Sequence, residues 1–541
     1  MYPEERRLVV KQSCIEIHDY EFGDCPTLEG FFKMFDIVTH SYYFLGLYYD
    51  TRNKVLKLPR GIDVEYIERL LGVNAYIDHK YDRYSSTAPI MINTLPRDDR
   101  QSEALRFMLG MQEYEATKYK SQLQLNLNTG VGKTYVAVAT AAYEELSTII
   151  ITYSVGWLKQ WSEKIQEYTD ISKREIMMIC GAPAINRILN GKFNPKKFYL
   201  ITHSTIESYA TTYGWDKITE LFKKLQIGLK FYDEAHMNFA NMCMIDFYTN
   251  TYKTYYLTAT PMRSDTEENK KYKLYMKNVL SIDLFDEDND PHTHYLAFIY
   301  NSKPSALEIS NCRNMYGLNR AKYVEILMKK ENFWKICHIM MDFMLKLNGK
   351  ILLYIATNEA ICIFYDWLID NYPFLKGDIG IYTSLVDTNK ELEKEKRVIL
   401  STTKSAGAAE DISGLKATCV VAEPFKSEVI ARQTLGRTRD NNTFYIELVD
   451  LGFKQTRRFY YSKLPVFEKY ALDVQHIQFP QYDLDKKSQA IIDQLNEYSI
   501  QNKYVDTCLI CVIDFEQPED LIEPFTIEKS GMIEPFEIIP K

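Results

Sequence analysis

Apolar residues recur in short β-branched or alternating runs, and each run is followed by a longer stretch with helical spacing. Leu123, Leu125 and Leu127 alternate with polar neighbours, and YVAVATAAYEEL follows after a short loop. STIIITY leads into SVGWLKQWSEKIQEY, and FYLIT leads into HSTIESY. IGLKFYDEAH and TYYLTATPMRSD are further apolar runs that end in acidic or small residues. Runs this short and apolar suit strands covered on both faces. Their alternation with helices predicts an α/β fold built on a doubly wound parallel sheet. The pattern starts again at GKILLYIATNEAICIFYDWL, residues 349–368, and continues through RVILST and ATCVVAEP. Between the two series, residues 265–295 are polar and acidic and read as a linker or surface insertion.

The flanks read differently. Within residues 1–94, YYFLGLYYD and KVLKLPRGI predict two strands around a polar turn, with Pro59 and Gly61 ending the second. DVEYIERLLG predicts a short helix capped by Asp63 and stopped by Gly72. A small α+β domain is expected here, with its aromatic residues either in a core or against nucleic acid. After FYIELVD, a basic and aromatic stretch carries Arg457, Arg458, Tyr460, Tyr461 and Lys463. These could stack on bases and pair with phosphates, or form a helix that packs its rings inward. The tail holds IEPF twice, at 522–525 and 533–536, as edge strands or a docking segment for a protein partner.

Composition narrows the class. A chain of 541 residues allows about three or four domains. Its net charge of −8 creates no global positive field, so any nucleic-acid contact must come from a local groove. The ten cysteines are scattered, as in a reducing compartment. Cys508 and Cys511 make a single CxxC without a second pair, read as two strand cysteines with a zinc site as the alternative. MYPEERRLVV lacks the apolar core of a signal peptide, and no run approaches the ~18 apolar residues of a membrane span. A soluble intracellular protein without a membrane partner is expected. The Tyr, Ile, Lys and Asn content fits an AT-rich genome such as that of a virus or phage.

Two strand ends carry chemistry. After Leu127 come Asn128, Thr129, Gly130, Val131, Gly132, Lys133 and Thr134, then a helix. This is the context of a phosphate-binding loop. Glycines let backbone N–H groups turn toward phosphate oxygens, Lys133 can reach the β- and γ-phosphates, and Thr134 can hold Mg²⁺. The strict pattern has a glycine where this chain has Leu127. The second strand end is Asp233-Glu234-Ala235-His236, where Asp233 can hold the metal through water. Glu234 can orient or deprotonate a water that attacks the γ-phosphate. Arg97 and Gln101 stand upstream, and the Gln101 amide offers the donor and acceptor that an adenine edge needs. Thr258-Ala259-Thr260 ends a third strand and could relay hydrogen bonds from the ATP site.

Gln101, NTGVGKT, DEAH and LTATPMR, in this order, resemble the first RecA-like domain of superfamily 2 helicases and translocases. The PMR continuation and the WLKQW helix look most like the group with UvsW phage helicases, XPB, RecG and the Snf2 motors. The resemblance implies a second RecA-like domain, and the later segments match it. Residues 397–424 resemble motif V, with Asp411 in D-I-S-G and Thr402 or Thr403 facing a nucleic-acid backbone. RQTLGRTRD resembles motif VI, with Gln433 in the catalytic group and Arg437 as the arginine finger. The second arginine of that motif falls on Asp440, and Arg439 stands one residue early. Ser154 and Thr202 are further nucleic-acid candidates that the family suggests.

The resemblance implies tandem RecA-like doubly wound domains with a small α+β N-terminal domain and a C-terminal extension. The expected boundaries are 1–94, 95–290, 291–460 and 461–541. It implies ATP and Mg²⁺ as cofactors, and a helicase or translocase that remodels DNA in recombination, repair or replication. Two other readings stay open: a viral-type helicase acting on RNA or transcription complexes, and a weakly hydrolysing, ATP-gated nucleic-acid scaffold.

Overall fold

The structure is a computed structural model. It describes residues 6–36, 40–78, 89–127, 131–259, 266–284, 293–314, 317–383, 390–406, 412–437 and 443–479. Asn128, Thr129, Gly130, Asp411, Arg439, the CxxC pair and both IEPF copies lie outside the described residues.

The N-terminal unit contains β1 (Arg7–Val10), β2 (Cys14–His18), β3 (Lys33–Asp36), β4 (Ser41–Phe44), β5 (Tyr48–Asp50), β6 (Val55–Pro59) and β7 (Ala75–Ile77). Five of these form one sheet in the order β5-β6-β2-β1-β7, while β3 and β4 pair separately as a two-stranded ribbon. The expected strand YYFLGLYYD is broken by Gly46, at φ +86°, into β4 and β5. The helix Val64–Leu71 starts and stops as its sequence predicts. Asp63 accepts from the Glu65 amide, and Gly72 adopts the left-handed conformation that ends helices.

The first large sheet holds β8 (Gln122–Leu127), β9 (Thr148–Thr152), β10 (Ile176–Ile179), β11 (Phe198–Thr202), β12 (Leu229–Asp233), β13 (Lys253–Thr258) and β14 (Leu280–Leu284). Its order is β10-β11-β9-β12-β13-β8-β14, and every pairing is parallel. The segment expected as a linker therefore supplies a helix, Thr266–Met276, and the edge strand β14. The alternation in β8 buries both faces. Leu123, Leu125 and Leu127 enter the apolar core, and the polar positions bond to one another or across strands. Gln124 donates to Asn126 at 2.7 Å, and Gln122 donates to the Tyr256 hydroxyl at 2.8 Å.

After β15 (Thr293–Tyr300), a minimal pairing of β16 (Arg313–Asn314) with β17 (Gly317–Leu318) stands apart from the second large sheet. That sheet contains β15, β18 (Lys350–Ile355), β19 (Ile379–Tyr382), β20 (Val398–Ser401), β21 (Leu415–Ala422), β22 (Thr443–Asp450) and β23 (Asp473–Gln478). Its order is β19-β20-β18-β21-β22-β15-β23, again all parallel. The chain thus has two tandem RecA-like doubly wound sheets behind a small α+β domain. β23 pairs with β15 well past residue 460, so the second sheet unit runs to Gln478.

The basic helix Lys454–Tyr470 packs on this sheet and divides the expected binding set. Tyr460 is buried against His476, and Lys463 is fully buried against Glu447. They are core residues, while Arg458 and Tyr461 face outward.

Candidate active site

β8 and β12 flank β13, so the phosphate loop and the acidic motif leave the same edge of one sheet, at the strand ends where open α/β sheets bind ligands. Gly132 caps the helix Lys133–Glu144 at φ +108° without any side-chain cap, leaving the first-turn amides to a ligand. The positive φ favours glycine, and a Cβ there would lie 2.1 Å from Gln101 Nε2, so that amide would have to move. Val131 and Thr134 complete the described part of the loop.

Gln101 is occupied differently from its sequence expectation. Its Nε2 donates to the Val131 carbonyl at 2.6 Å, and its Oε1 accepts from the Arg97 amide at 2.8 Å. Arg97 also donates to the Val131 carbonyl, at 3.2 Å. Both side chains brace the phosphate loop here, and base recognition by Gln101 would need these bonds to exchange.

Lys133 is buried, 3.2 Å from Glu234 Oε1 and 3.3 Å from the Leu127 carbonyl. Glu234 sits at φ +50°, a conformation that non-glycine residues hold only when their surroundings enforce it. Burial raises the Glu234 carboxyl's pKa. Lys133 and His236 outweigh that and hold it below the usual carboxylate range. Asp233 is shifted the other way, to about 6, by burial and by the adjacent Glu234 charge. The Trp161 indole donates to Asp233 Oδ2 at 2.8 Å and opposes that shift.

His236 links the acidic motif to both neighbours. Its Nδ1 lies 2.8 Å from Thr258 Oγ1 on β13 and 3.4 Å from Glu234 Oε2. Its Nε2 lies 3.0 Å from Gln433 Nε2, on the helix Glu428–Leu435 of the second sheet unit. Arg437 follows that helix, buried and close enough to Tyr354 to act on its hydroxyl electrostatically. The structure thus brings Lys133, Asp233, Glu234 and His236 together on one side and meets them with Gln433 from the other.

The four nucleic-acid candidates separate. Ser154 caps the helix Val155–Tyr168 without using its side chain, which is half-buried. Thr402 is half-buried and accepts from the Ser405 amide at 3.1 Å. Thr403 is buried, its amide donating to Glu423 Oε2 at 2.8 Å. Thr202 is fully buried, and its hydroxyl caps the helix His203–Tyr213. A side chain closed in this way supports the loop, so Ser204, exposed two residues on, is the hydroxyl that reaches the surface. Sequence reasoning missed Trp161, His236 and Glu423 as site residues. Trp161 and His236 lay inside quoted motifs, and only the fold reveals their partners. Glu423 ends the apolar strand β21, and a carboxylate there was an available signal.

The donor set suits a hard cation shared with phosphates. Asp233 and Thr134 offer oxygen ligands beside Lys133. Among the described residues no cluster of three or more His, Cys, Asp or Glu side chains could hold a metal by itself.

Residues 95–263 match the family model described as the type III restriction enzyme res subunit. The matched segment runs from just before Arg97 past the end of β13. No curated protein matches the sequence. Among solved structures, Saccharomyces cerevisiae Dbp5 bound to RNA and ADP-BeF3 is 15% identical, with a TM-score of 0.48, covering 73% of this chain and 92% of that one. The T4 UvsW structure is 14% identical with a TM-score of 0.35, covering 87% and 99%. An HsdR-subunit fragment of a type I restriction enzyme from Vibrio vulnificus is 14% identical with a TM-score of 0.47, covering 83% and 78%.

Proposed function

We propose that this chain is an ATP-hydrolysing motor of the superfamily 2 helicase type, acting on nucleic acid with DNA as its track. The observation that carries the reading is the contact between His236 of the acidic motif and Gln433 of the second sheet unit. It ties the hydrolytic carboxylate to the facing domain, so that a change at the γ-phosphate can alter how the two domains sit. The restriction-enzyme name of the matched family favours DNA over RNA.

ATP is the substrate. Lys133 exchanges Glu234 for phosphate oxygens, and the loop amides around Gly132 hold the remaining charge. Glu234, released from Lys133, accepts the proton of the attacking water. Asp233 and Thr134 would hold Mg²⁺, which would supply charge neutralisation for the phosphates. Arg437 approaches from the second sheet unit and stabilises charge on the transferred group. Thr402 and Ser154 grip the track backbone, which makes binding salt-dependent and weakly sequence-specific.

The test is steady-state hydrolysis with no nucleic acid, single-stranded DNA, duplex DNA, a four-way junction and single-stranded RNA. Glu234→Gln should lower turnover by about a hundredfold or more while ATP binding survives. Lys133→Ala should lose both. Stimulation confined to RNA would move the assignment to transcript handling. Turnover no higher than in Glu234→Gln on every substrate would remove the motor reading.

A further inference from the structure

The β3–β4 ribbon exposes an aromatic strip that the ATP-driven chemistry does not use. The register pairs Lys33 with Phe44 and Phe35 with Tyr42, so these four side chains share one face. Phe35 is 48% exposed and Tyr42 is 62% exposed. Their rings lie 5.1 Å apart, and the Lys33 ammonium sits 4.1 Å from the Tyr42 ring centre. The strip continues from Phe44 to Phe22, whose ring is 5.1 Å away and also exposed. The other face carries Met34, Asp36, Ser41 and Tyr43, of which Tyr43 is itself 39% exposed. Met34 packs against the core of the first large sheet, and Lys271, on the helix after β13, donates to the Phe31 carbonyl at 2.5 Å.

A folded protein does not ordinarily leave neighbouring rings in water, and such a patch marks a contact surface. The chemistry of this one is specific. It has a cation among the rings, and Asp36 lies on the opposite face by alternation, so the strip itself presents no carboxylate. Two rings tilted by 59° with a lysine over one of them offer aromatic faces to unpaired bases and a cation to the phosphates that join them.

We infer that the Phe35–Tyr42 face of the N-terminal ribbon is a stacking platform for single-stranded nucleic acid, held rigidly on the first RecA-like unit. The inference rests on the motor reading and adds a ligand contact outside both large sheets. Duplexes, whose bases are already stacked on one another, would gain little from it.

The experiment measures binding of the full chain to single-stranded DNA, single-stranded RNA and blunt duplex by fluorescence anisotropy, for wild type, Phe35→Ala/Tyr42→Ala and Lys33→Ala. All substituted side chains are exposed, and thermal unfolding of each variant checks that the fold is kept. The double variant should lose about tenfold or more in affinity for single strands, with duplex affinity within twofold of wild type. Lys33→Ala should flatten the salt dependence on single strands by about one phosphate contact. Unchanged single-strand affinity, or an equal loss on duplex, overturns the platform. So does a change in sedimentation with nucleic-acid affinity intact, which would make the strip a protein contact. If wild type shows DNA-stimulated hydrolysis while the double variant binds strands normally, the platform fails alone. If wild type binds no nucleic acid, the motor reading fails with it.

Discussion

At the scale of single residues, the adjacent carboxylates Asp233 and Glu234 are pushed in opposite directions. Asp233 is half-buried and Glu234 buried, and Lys133 pairs directly with Glu234. Trp161 supplies Asp233 with a neutral donor at 2.8 Å, and its ring packs within the core beside β12. A hydrogen bond to an ionised group contributes about 1.5–3 kcal/mol. Trp161→Phe keeps most of the ring and removes only the N–H. The Mg²⁺ concentration needed for half-maximal ADP binding should then rise by about tenfold, while metal-free ADP affinity stays constant. Calorimetric titration with and without Mg²⁺ reads both quantities. An unchanged metal dependence would mean that the indole packs against Asp233 without orienting it.

At the scale of elements, the N-terminal unit is fastened to the first sheet through backbone contacts that leave no spare room. Gly61 accepts from the Asn278 amide at 3.0 Å, and a Cβ on Gly61 would stand 2.2 Å from the Tyr275 carbonyl oxygen. The Tyr275 hydroxyl in turn donates to Asp246, which also accepts from Tyr232, Tyr256 and Lys230. Gly61→Ala should therefore cost about 1–3 kcal/mol in urea unfolding through forced displacement. Gly30→Ala, whose Cβ meets nothing within 4 Å, is the control and should cost nothing comparable. Equal midpoints for the two variants would show that this junction is compliant. The same elements indicate what was readable in advance. β8, β9 and β12 were legible because central parallel strands are covered on both faces and must be apolar or internally bonded. β23, DVQHIQ, and β14, LSIDL, were not legible. Edge strands tolerate polar positions, and their pairing comes from the sheet beside them. The meeting of Lys133 with Glu234 was legible from glycine, lysine and carboxylate spacing. The roles of Gln101 and Thr202 were not, because their polar groups are spent on local backbone atoms that only the folded chain brings near.

At the scale of the whole molecule, the question is how the two large sheets sense each other. The His236 ring spans the junction, with Thr258 and Glu234 on one side and Gln433 on the other. A Gln433 amide N–H pointing at Nε2 requires that nitrogen to accept. The ring proton then sits on Nδ1, directed at Thr258 Oγ1 or Glu234. The facing domain thereby selects the tautomer of a histidine that lies 3.4 Å from the Glu234 carboxylate. Gln433→Ala removes the selection without touching the phosphate loop or Asp233. ADP affinity should stay within about twofold, because every group proposed to hold the diphosphate lies on the first sheet unit. Nucleic-acid-stimulated turnover should fall by about tenfold, the effect of one hydrogen bond of about 1.4 kcal/mol. A fluorescence energy-transfer pair placed across the two sheet units should also close less when nucleotide and nucleic acid are both present. Full stimulation and full closure in Gln433→Ala would assign domain coupling to other contacts, with Arg437 the next side chain to substitute.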